Sequence, residues 1–322
     1  MFAIGLFVVL PMLAFSLLAG RSLLNQEKTA LHVELKQLAD FGARALGSEV
    51  RVVFATLDAL ATSDDALRGD YAALHAHAGR IVALSPRIGA ITVVDAGGVL
   101  RFSTLAPFAV LLPPTSLGEF DKLVFATGVR QISPLAEGSI SGRKLVAFSV
   151  PIKGGGKTLG VLRATMWTDA IGEVVHEQPV AASWVVAVVD EKMIQIARSQ
   201  ESARFVGQPA TELTQVAIRA GLTTPYAAVS HDGATMTASV ARVPGTQWTV
   251  VVASPSTSIS TEVWRAFEST LWIGLICAML SVLGAWALAR ALQKQFQVAV
   301  ERAVVREEAS PKHPPTRSDD PL

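Results

Sequence analysis

Two apolar runs without a charged side chain, Met1–Gly20 and Leu271–Ala289, lie near opposite ends of the chain. Each is close to the ~20 residues that a helix needs to cross the hydrocarbon core of a bilayer. Half of the 322 residues are hydrophobic and only 17% are charged, an excess that these two runs concentrate. Pro11 lies in the first run, where a membrane helix tolerates it as a kink. That run is long for the core of a cleaved leader. It lacks a basic start and has no small-x-small site before Arg21, so it reads as an anchor. Glu268 and Arg290 bound the second run, with Trp272 and Trp286 at interfacial depths. Arg290, Lys294, Arg302 and Arg306 follow it and argue for a cytoplasmic C-terminus. Arg21, Lys28 and Lys36 after the first run argue the opposite, but a long domain crosses largely regardless of its charges.

About 250 residues separate the runs, enough for one or two cores. From Ser22 to Thr62 there is no proline, and Leu31, Leu35, Leu38, Phe41, Ala45, Val52 and Val53 recur mostly at helical steps. A second helix is expected over Asp65–Leu84, ending before Pro86. The period then becomes two. Strands are expected over 89–95, 99–104, 129–133, 144–151 and 159–167, with a tight turn at Ala96-Gly97-Gly98 and a proline-rich loop at Pro107, Pro113 and Pro114. The pattern restarts with strands at 183–190, 193–199, 226–231, 235–241 and 248–253. Aligning Asp95 with Asp190 superposes apolar-apolar-Asp, a turn and a return strand, which gives a weak internal repeat about 95 residues long. The expected fold class is α+β, with two related tandem modules after a long N-terminal helix, flanked by two transmembrane helices. The expected segments are membrane helix 1–20, spine helix 21–62, first module 63–180, second module 181–256, linking helix 257–270, membrane helix 271–289 and tail 290–322.

The stretches ITVVDAGGVLRFST, ATGVRQISPLAEGSISGRKLVAFSVPI, LGVLRATMW, WVVAVVDEKMIQIARS, FVGQPA and VPGTQWTVVVASP resemble the double Cache (PDC-type) extracytoplasmic sensor domain. Such domains stand at the front of bacterial sensor histidine kinases, diguanylate cyclases and chemoreceptors. The resemblance covers about Ser22 to Pro255 and consists of many modest matches. It implies two tandem PAS-like (Cache) modules on the long N-terminal helix, in a periplasmic or extracellular sensor on the bacterial inner (plasma) membrane, with a ligand in the membrane-distal module. The amino-acid-binding subclass carries an Arg-x-x-x-Trp-Tyr run and an Asp on the pocket strand. That run is absent here and Val161–Trp167 lacks that Asp, so no carboxylate is expected for an α-amino group and an amino-acid sensor is not expected.

Alternation places Val161, Arg163, Thr165 and Trp167 on one face of their strand. Arg101, Arg130 and Arg163 come from three strands of one expected sheet. If they converge, they favour a small carboxylate or another anion, because a buried arginine requires a partner. Ser103, Ser133 and Ser149 would add hydroxyls, and Phe148 and Trp167 would add walls. The plainer alternative is that each arginine faces solvent or pairs with a surface acid.

Other chemistry finds little support. The net charge of +1 offers no basic field for nucleic acid. Cys277 is the single cysteine and lies within the second apolar run, so neither an internal disulfide nor a cysteine metal site is available. His75 and His77 point to different faces of a helix. Gly154-Gly-Gly-Lys157-Thr158 looks like a phosphate loop, but Pro151 stands where that motif needs glycine and a strand follows it. No enzyme activity, metal or cofactor is expected. The tail has one apolar face (Leu292, Phe296, Val300 and Val304) suited to a short coiled coil, and becomes Pro-rich and charged from Ser310. The expected protein is a membrane-integral, homodimeric receptor that passes its signal to a separate kinase or other partner. Two alternatives remain: the input half of a sensor histidine kinase lacking its kinase part, and an extracytoplasmic binding or scaffold protein without signalling.

Overall fold

A computed structural model of the chain describes residues 2–115, 117–176 and 180–256, and part of the stretch 268–294. Side chains are described from residue 21 onward, 23 and 24 excepted. The chain divides into two units, Glu27–Ser260 and the pair Met1–Gln26 with Thr261–Leu322. The expected linking helix over 257–270, save Glu268, and the tail from 295 onward lie outside the described residues. So do seven of the 19 positions of the apolar run 271–289, whose other positions are helical. Among the described residues, no helix is long and apolar enough to cross a membrane.

The first element is α1, Phe2–Ala61. Within the unit Glu27–Ser260 its inward stripe is Leu35, Ala39, Ala43, Leu46, Val50, Val53, Leu57 and Leu60, all buried. The three- and four-residue steps keep this stripe on one side of the helix. The expected stripe was partly misplaced, since Phe41 and Val52 are exposed. The expected single helix over 65–84 is two: α2, Asp64–Arg68, and α3, Tyr71–Leu84. Gly69 ends α2 in the left-handed region at φ 70°, and the Asp70 side chain then caps α3 by accepting from the Ala73 amide.

The N-terminal sheet contains β1 Ala90–Asp95, β2 Leu100–Ser103, β3 Gln131–Ile132, β4 Ala136–Glu137, β5 Lys144–Gly154 and β6 Lys157–Trp167. Its order is β2-β1-β6-β5-β3, with β4 also on β5, and every pairing is antiparallel. The glycines at 154–156 form the β5–β6 hairpin turn. Two unforeseen helices flank these strands, α4 Gly118–Thr127 and α5 Thr168–His176. The C-terminal sheet contains β7 Val185–Val189, β8 Gln195–Arg198, β9 Tyr226–Val229, β10 Thr235–Arg242 and β11 Thr249–Pro255, in the order β8-β7-β11-β10-β9. Two further unforeseen helices, α6 Ser202–Phe205 and α7 Glu212–Arg219, lie between β8 and β9.

The two strand orders are the same permutation, and the repeat extends to single atoms. Asp95 Oδ1 accepts from the Gly97 and Val99 amides, and Asp190 Oδ1 accepts from the Lys192 and Ile194 amides. The Thr104 hydroxyl accepts from the Ile91 amide, and the Ser199 hydroxyl accepts from the Val186 amide. A bulge follows Val93 in one copy and Val188 in the other. An aspartate at the end of the leading strand (Asp95) or just past it (Asp190) accepts these bonds and closes the turn that fixes each hairpin register.

Both sheets lay one face on α1. A single apolar core joins its stripe to Ile91, Val93, Phe148 and Leu162 of the first sheet and to Val186, Val188, Val250 and Val252 of the second. Phe148 meets Trp248 edge-on at 5.8 Å between ring centres, which bridges the modules. Gly47 on α1 lies against the turn after β10, where an added Cβ would come 2.9 Å from Pro244 Cδ and 3.2 Å from its carbonyl oxygen. Because the modules share one core, we expect Leu46→Ala to lower stability by ~2–5 kcal/mol. Unfolding should remain one transition, followed by near-ultraviolet circular dichroism, and two resolved transitions would contradict the shared core.

Candidate functional site

The N-terminal sheet has an apolar face against α1 and a polar face turned away from it. Residues paired across antiparallel strands share a face. Ser103 pairs with Thr92, Thr92 with Arg163, Arg163 with Ser149, and Ser149 with Gln131, so one row of five polar residues crosses the sheet. The next row is Ala90, Thr165 and Ala147. Helix α4 packs over β5 and β6 on this side, burying Val124 and Asp121.

At the centre is Arg163, only 4% exposed. Its Nη1 donates to Thr115 Oγ1 at 3.0 Å and lies 3.6 Å from Asp121 Oδ1, an ion pair without hydrogen-bond contact. Among the described residues, Arg163 Nε, both carboxylate oxygens of Asp121 and Ser149 Oγ have no hydrogen-bond partner. Buried polar groups left in this state cost about 1–3 kcal/mol each. Burial raises the pKa of Asp121 above its ordinary value, opposed by the charge of Arg163. Burial likewise lowers the pKa of Arg163, opposed by Asp121. Two opposite charges therefore stand side by side in a desolvated layer, each with unused capacity to bind.

The three arginines expected to converge do not. Arg101 is half-exposed, paired with Asp95 and set over the Tyr71 ring. Arg130 is exposed, 3.9 Å from Asp58 of α1 and over the Phe54 ring at 4.8 Å. Both follow the plainer alternative of surface pairing. Phe148 is also corrected: it lies on the α1 face, edge-on to Phe54 at 5.5 Å. Period two forbids Phe148 and Ser149 from sharing a face.

Ser149, Thr165 and Trp167 share the face of Arg163. Ser103 and Ser133 are buried, but their hydroxyls serve the backbone. Ser103 Oγ accepts from the Leu105 amide, while Ser133 Oγ accepts from the Ala147 amide and donates to the Pro134 carbonyl. The Trp167 indole lies over Gly89, leaving no room for a Cβ there, and the Arg143 guanidinium covers its ring at 4.5 Å.

Thr115 and Asp121 were missed. The expectation that no carboxylate faces the strand carrying Arg163 is overturned, since Asp121 arrives from α4 rather than from a strand. The sequence signal for α4 is slight. Leu117 stands at its N-cap without a side-chain cap, and only Gly128 at the C-cap, at φ 62°, marks an end.

No known family profile matches the sequence, and no curated protein sequence does. Solved structures do. The extracellular domain of a histidine-kinase-type protein, rpHK1S-Z16, is 17% identical with a TM-score of 0.58, covering 74% of this chain and 98% of its own. The ligand-binding domain of the Pseudomonas fluorescens chemoreceptor CtaA, in complex with L-serine, is 13% identical with a TM-score of 0.57, covering 71% and 99%. That of the Pseudomonas aeruginosa amino-acid chemoreceptor PctB, in complex with L-Arg, is 12% identical with a TM-score of 0.57, covering 72% and 97%. Identities this low establish the fold: it is that of the extracellular sensor domains of histidine kinases and chemoreceptors, as the double Cache resemblance implied.

The raised pKa of Asp121 carries a sign that can be measured. The ligand-free folded state holds this proton more tightly than the unfolded state. Its contribution to stability is therefore full below the ordinary value of 3.8 and is lost as pH rises through the folded value. In melts between about pH 4 and 7, wild type should lose stability relative to Asp121→Asn as pH rises. A pH-independent difference would contradict this electrostatic picture.

Proposed function

We propose that this chain is an extracytoplasmic sensor of a small zwitterion, an α-amino acid or a compound with the same paired charges, bound in the N-terminal module. The observation that carries this reading is the buried Arg163–Asp121 pair, with Arg163 Nε, both Asp121 oxygens and Ser149 Oγ free of hydrogen bonds among the described residues. A ligand carboxylate satisfies Arg163, a ligand ammonium satisfies Asp121, and Ser149 contributes a hydroxyl. A simple anion would meet the Asp121 charge and a simple cation the Arg163 charge, so a ligand that carries both groups preserves neutrality in the buried layer. Thr165 and Trp167 complete the wall. The amino acids bound by the CtaA and PctB domains support a ligand of this class.

In this reading, residues 1–20 and 271–289 cross the inner membrane, the residues between them lie outside it, and those after 290 lie in the cytoplasm. The charge-free lengths of the runs, the tryptophans at the ends of the second and the basic residues that follow it support that arrangement. The chain transmits occupancy to a signalling partner through its membrane helices, and no reaction is assigned to it. It acts as a dimer through α1, whose Val33, Phe41 and Val52 are large apolar residues left exposed.

Isothermal titration of the purified protein with a panel of L-amino acids and their decarboxylated and deaminated analogues tests the ligand. We expect binding to require both the carboxylate and the amine. Arg163→Ala and Asp121→Asn should each weaken it by roughly 10- to 100-fold, the value of one charge-assisted contact. Tight binding of the deaminated acids that is indifferent to Asp121→Asn would sink the zwitterion reading. In a Cys277→Ser background, a single cysteine at Val33 or Phe41 should cross-link two chains in membranes; a wholly monomeric pattern would remove the dimer.

A further inference from the structure

The C-terminal module repeats the topology of the N-terminal one, and the face of its sheet turned away from α1 lines a cavity. It measures about 50 Å³. A water needs ~10–15 Å³ on the same measure, so the space holds roughly three to five heavy atoms. Its floor is apolar and shallow because alanines recur on it: Ala187 of β7, Ala228 of β9, Ala238 of β10 and Ala253 of β11. Met236 and Val251 complete that surface, and Thr211 and Thr214, at the start of α7, lie over it.

The other end is polar and ordered. Gln195 is 2% exposed, and its amide orientation is set from both sides. Its Oε1 accepts from Arg198 Nη1 at 3.2 Å, while its Nε2 donates to the Pro209 carbonyl at 3.3 Å and to His231 Nε2 at 2.9 Å. The His231 ring must therefore be neutral and carry its proton on Nδ1. Burial, followed by the charges of Arg198 and Arg204, lowers its pKa in agreement with that state, with Asp232 opposing. The ring stacks on Phe205 at 4.8 Å. The Arg198 guanidinium also lies over the Phe205 ring, 4.5 Å from its centre, and its Nε donates to the Gln200 carbonyl at 3.0 Å. Nε and Nη1 are thus committed, and among the described residues Nη2 carries no hydrogen bond. The charges of Glu201 and Asp232 act on Arg198 against the effect of its burial, but their contacts lie elsewhere: Glu201 pairs with Arg204, and Asp232 accepts from the Ser230 hydroxyl.

We propose that this cavity is a second ligand site, for a short-chain aliphatic monocarboxylate of the size of acetate or propionate. The carboxylate meets Arg198 Nη2 at the polar end, and the alkyl group lies on the alanine floor. The site is independent of the Arg163–Asp121 site, which lies in the other module. It differs from that site in chemistry, because the cavity lining supplies a cation and neutral donors but no carboxylate for an ammonium group.

The test uses the full-length purified protein, with sodium propionate as the probe and the melting temperature as the readout. At about tenfold excess over its Kd, propionate should raise the Tm by about 3–6 °C. The rise should persist in Arg163→Ala and vanish in both Arg198→Gln and Ala238→Leu, the second of which fills the floor without touching a charge. Circular dichroism shows whether each variant is folded. Isothermal titration of wild type and Arg163→Ala should give one propionate site in each, which keeps the test decisive if the cavity variants do not fold. The proposal is overturned by the absence of a propionate response in wild type, by its loss in Arg163→Ala, or by its survival in folded Arg198→Gln.

Discussion

One helix face has to satisfy two sheets at once. The stripe from Leu35 to Leu60 on α1 is the common wall of a core that would otherwise be two small cores, each too thin to bury its own strands well. The polarity of everything else follows from it. Whatever faces α1 is apolar and closely packed, as with Phe148, Leu162, Val188 and Val250. Whatever faces away is free to be polar, which is where Arg163 and Ser149 in one module and Gln195 and Arg198 in the other are found. Because the two modules face the same helix in the same sense, each turns its more polar sheet face to the side opposite to the spine.

The buried charges show what this arrangement permits. A lone arginine inside a sheet layer would be prohibitive, and a fully hydrogen-bonded ion pair would be inert. Arg163 and Asp121 stand between those limits, close enough to offset each other's charge and too far apart to fill each other's hydrogen-bonding positions. Their strand and helix are held by apolar contacts elsewhere, Leu162 and Met166 behind the sheet and Val124 under α4, so the polar groups need not carry the fold. Apolar packing and the buried charges are thereby assigned to opposite faces of the same strand.

The fold was largely legible, and the site only in part. Period-two runs, Gly-rich turns and the Asp95–Asp190 correspondence are local signals, and the structure reproduces them down to which amides each aspartate accepts from. The break at Gly69-Asp70 was also written in the sequence, as a left-handed C-cap followed by an N-cap residue, but a continuous apolar pattern concealed it. Arg163 was identified because alternation separates faces, and the same rule should have excluded Phe148. Which of three arginines turned inward was not a local property. Arg101 and Arg130 found acids beside them, at Asp95 and Asp58, whereas Arg163 had to wait for Asp121, forty-two positions earlier in the chain. That residue sits on a short helix with an uncapped start, so neither its element nor its partner could be read in advance.

The contact at Gly47 limits how the domain can move. With Pro244 filling the space where a Cβ would stand, α1 has no clearance against the turn after β10. Turning the helix about its axis would drive a neighbouring side chain into that proline, so at this point helix and C-terminal sheet behave as a shaft keyed to its bearing. Torque on α1 is therefore resisted where Gly47 and Pro244 meet.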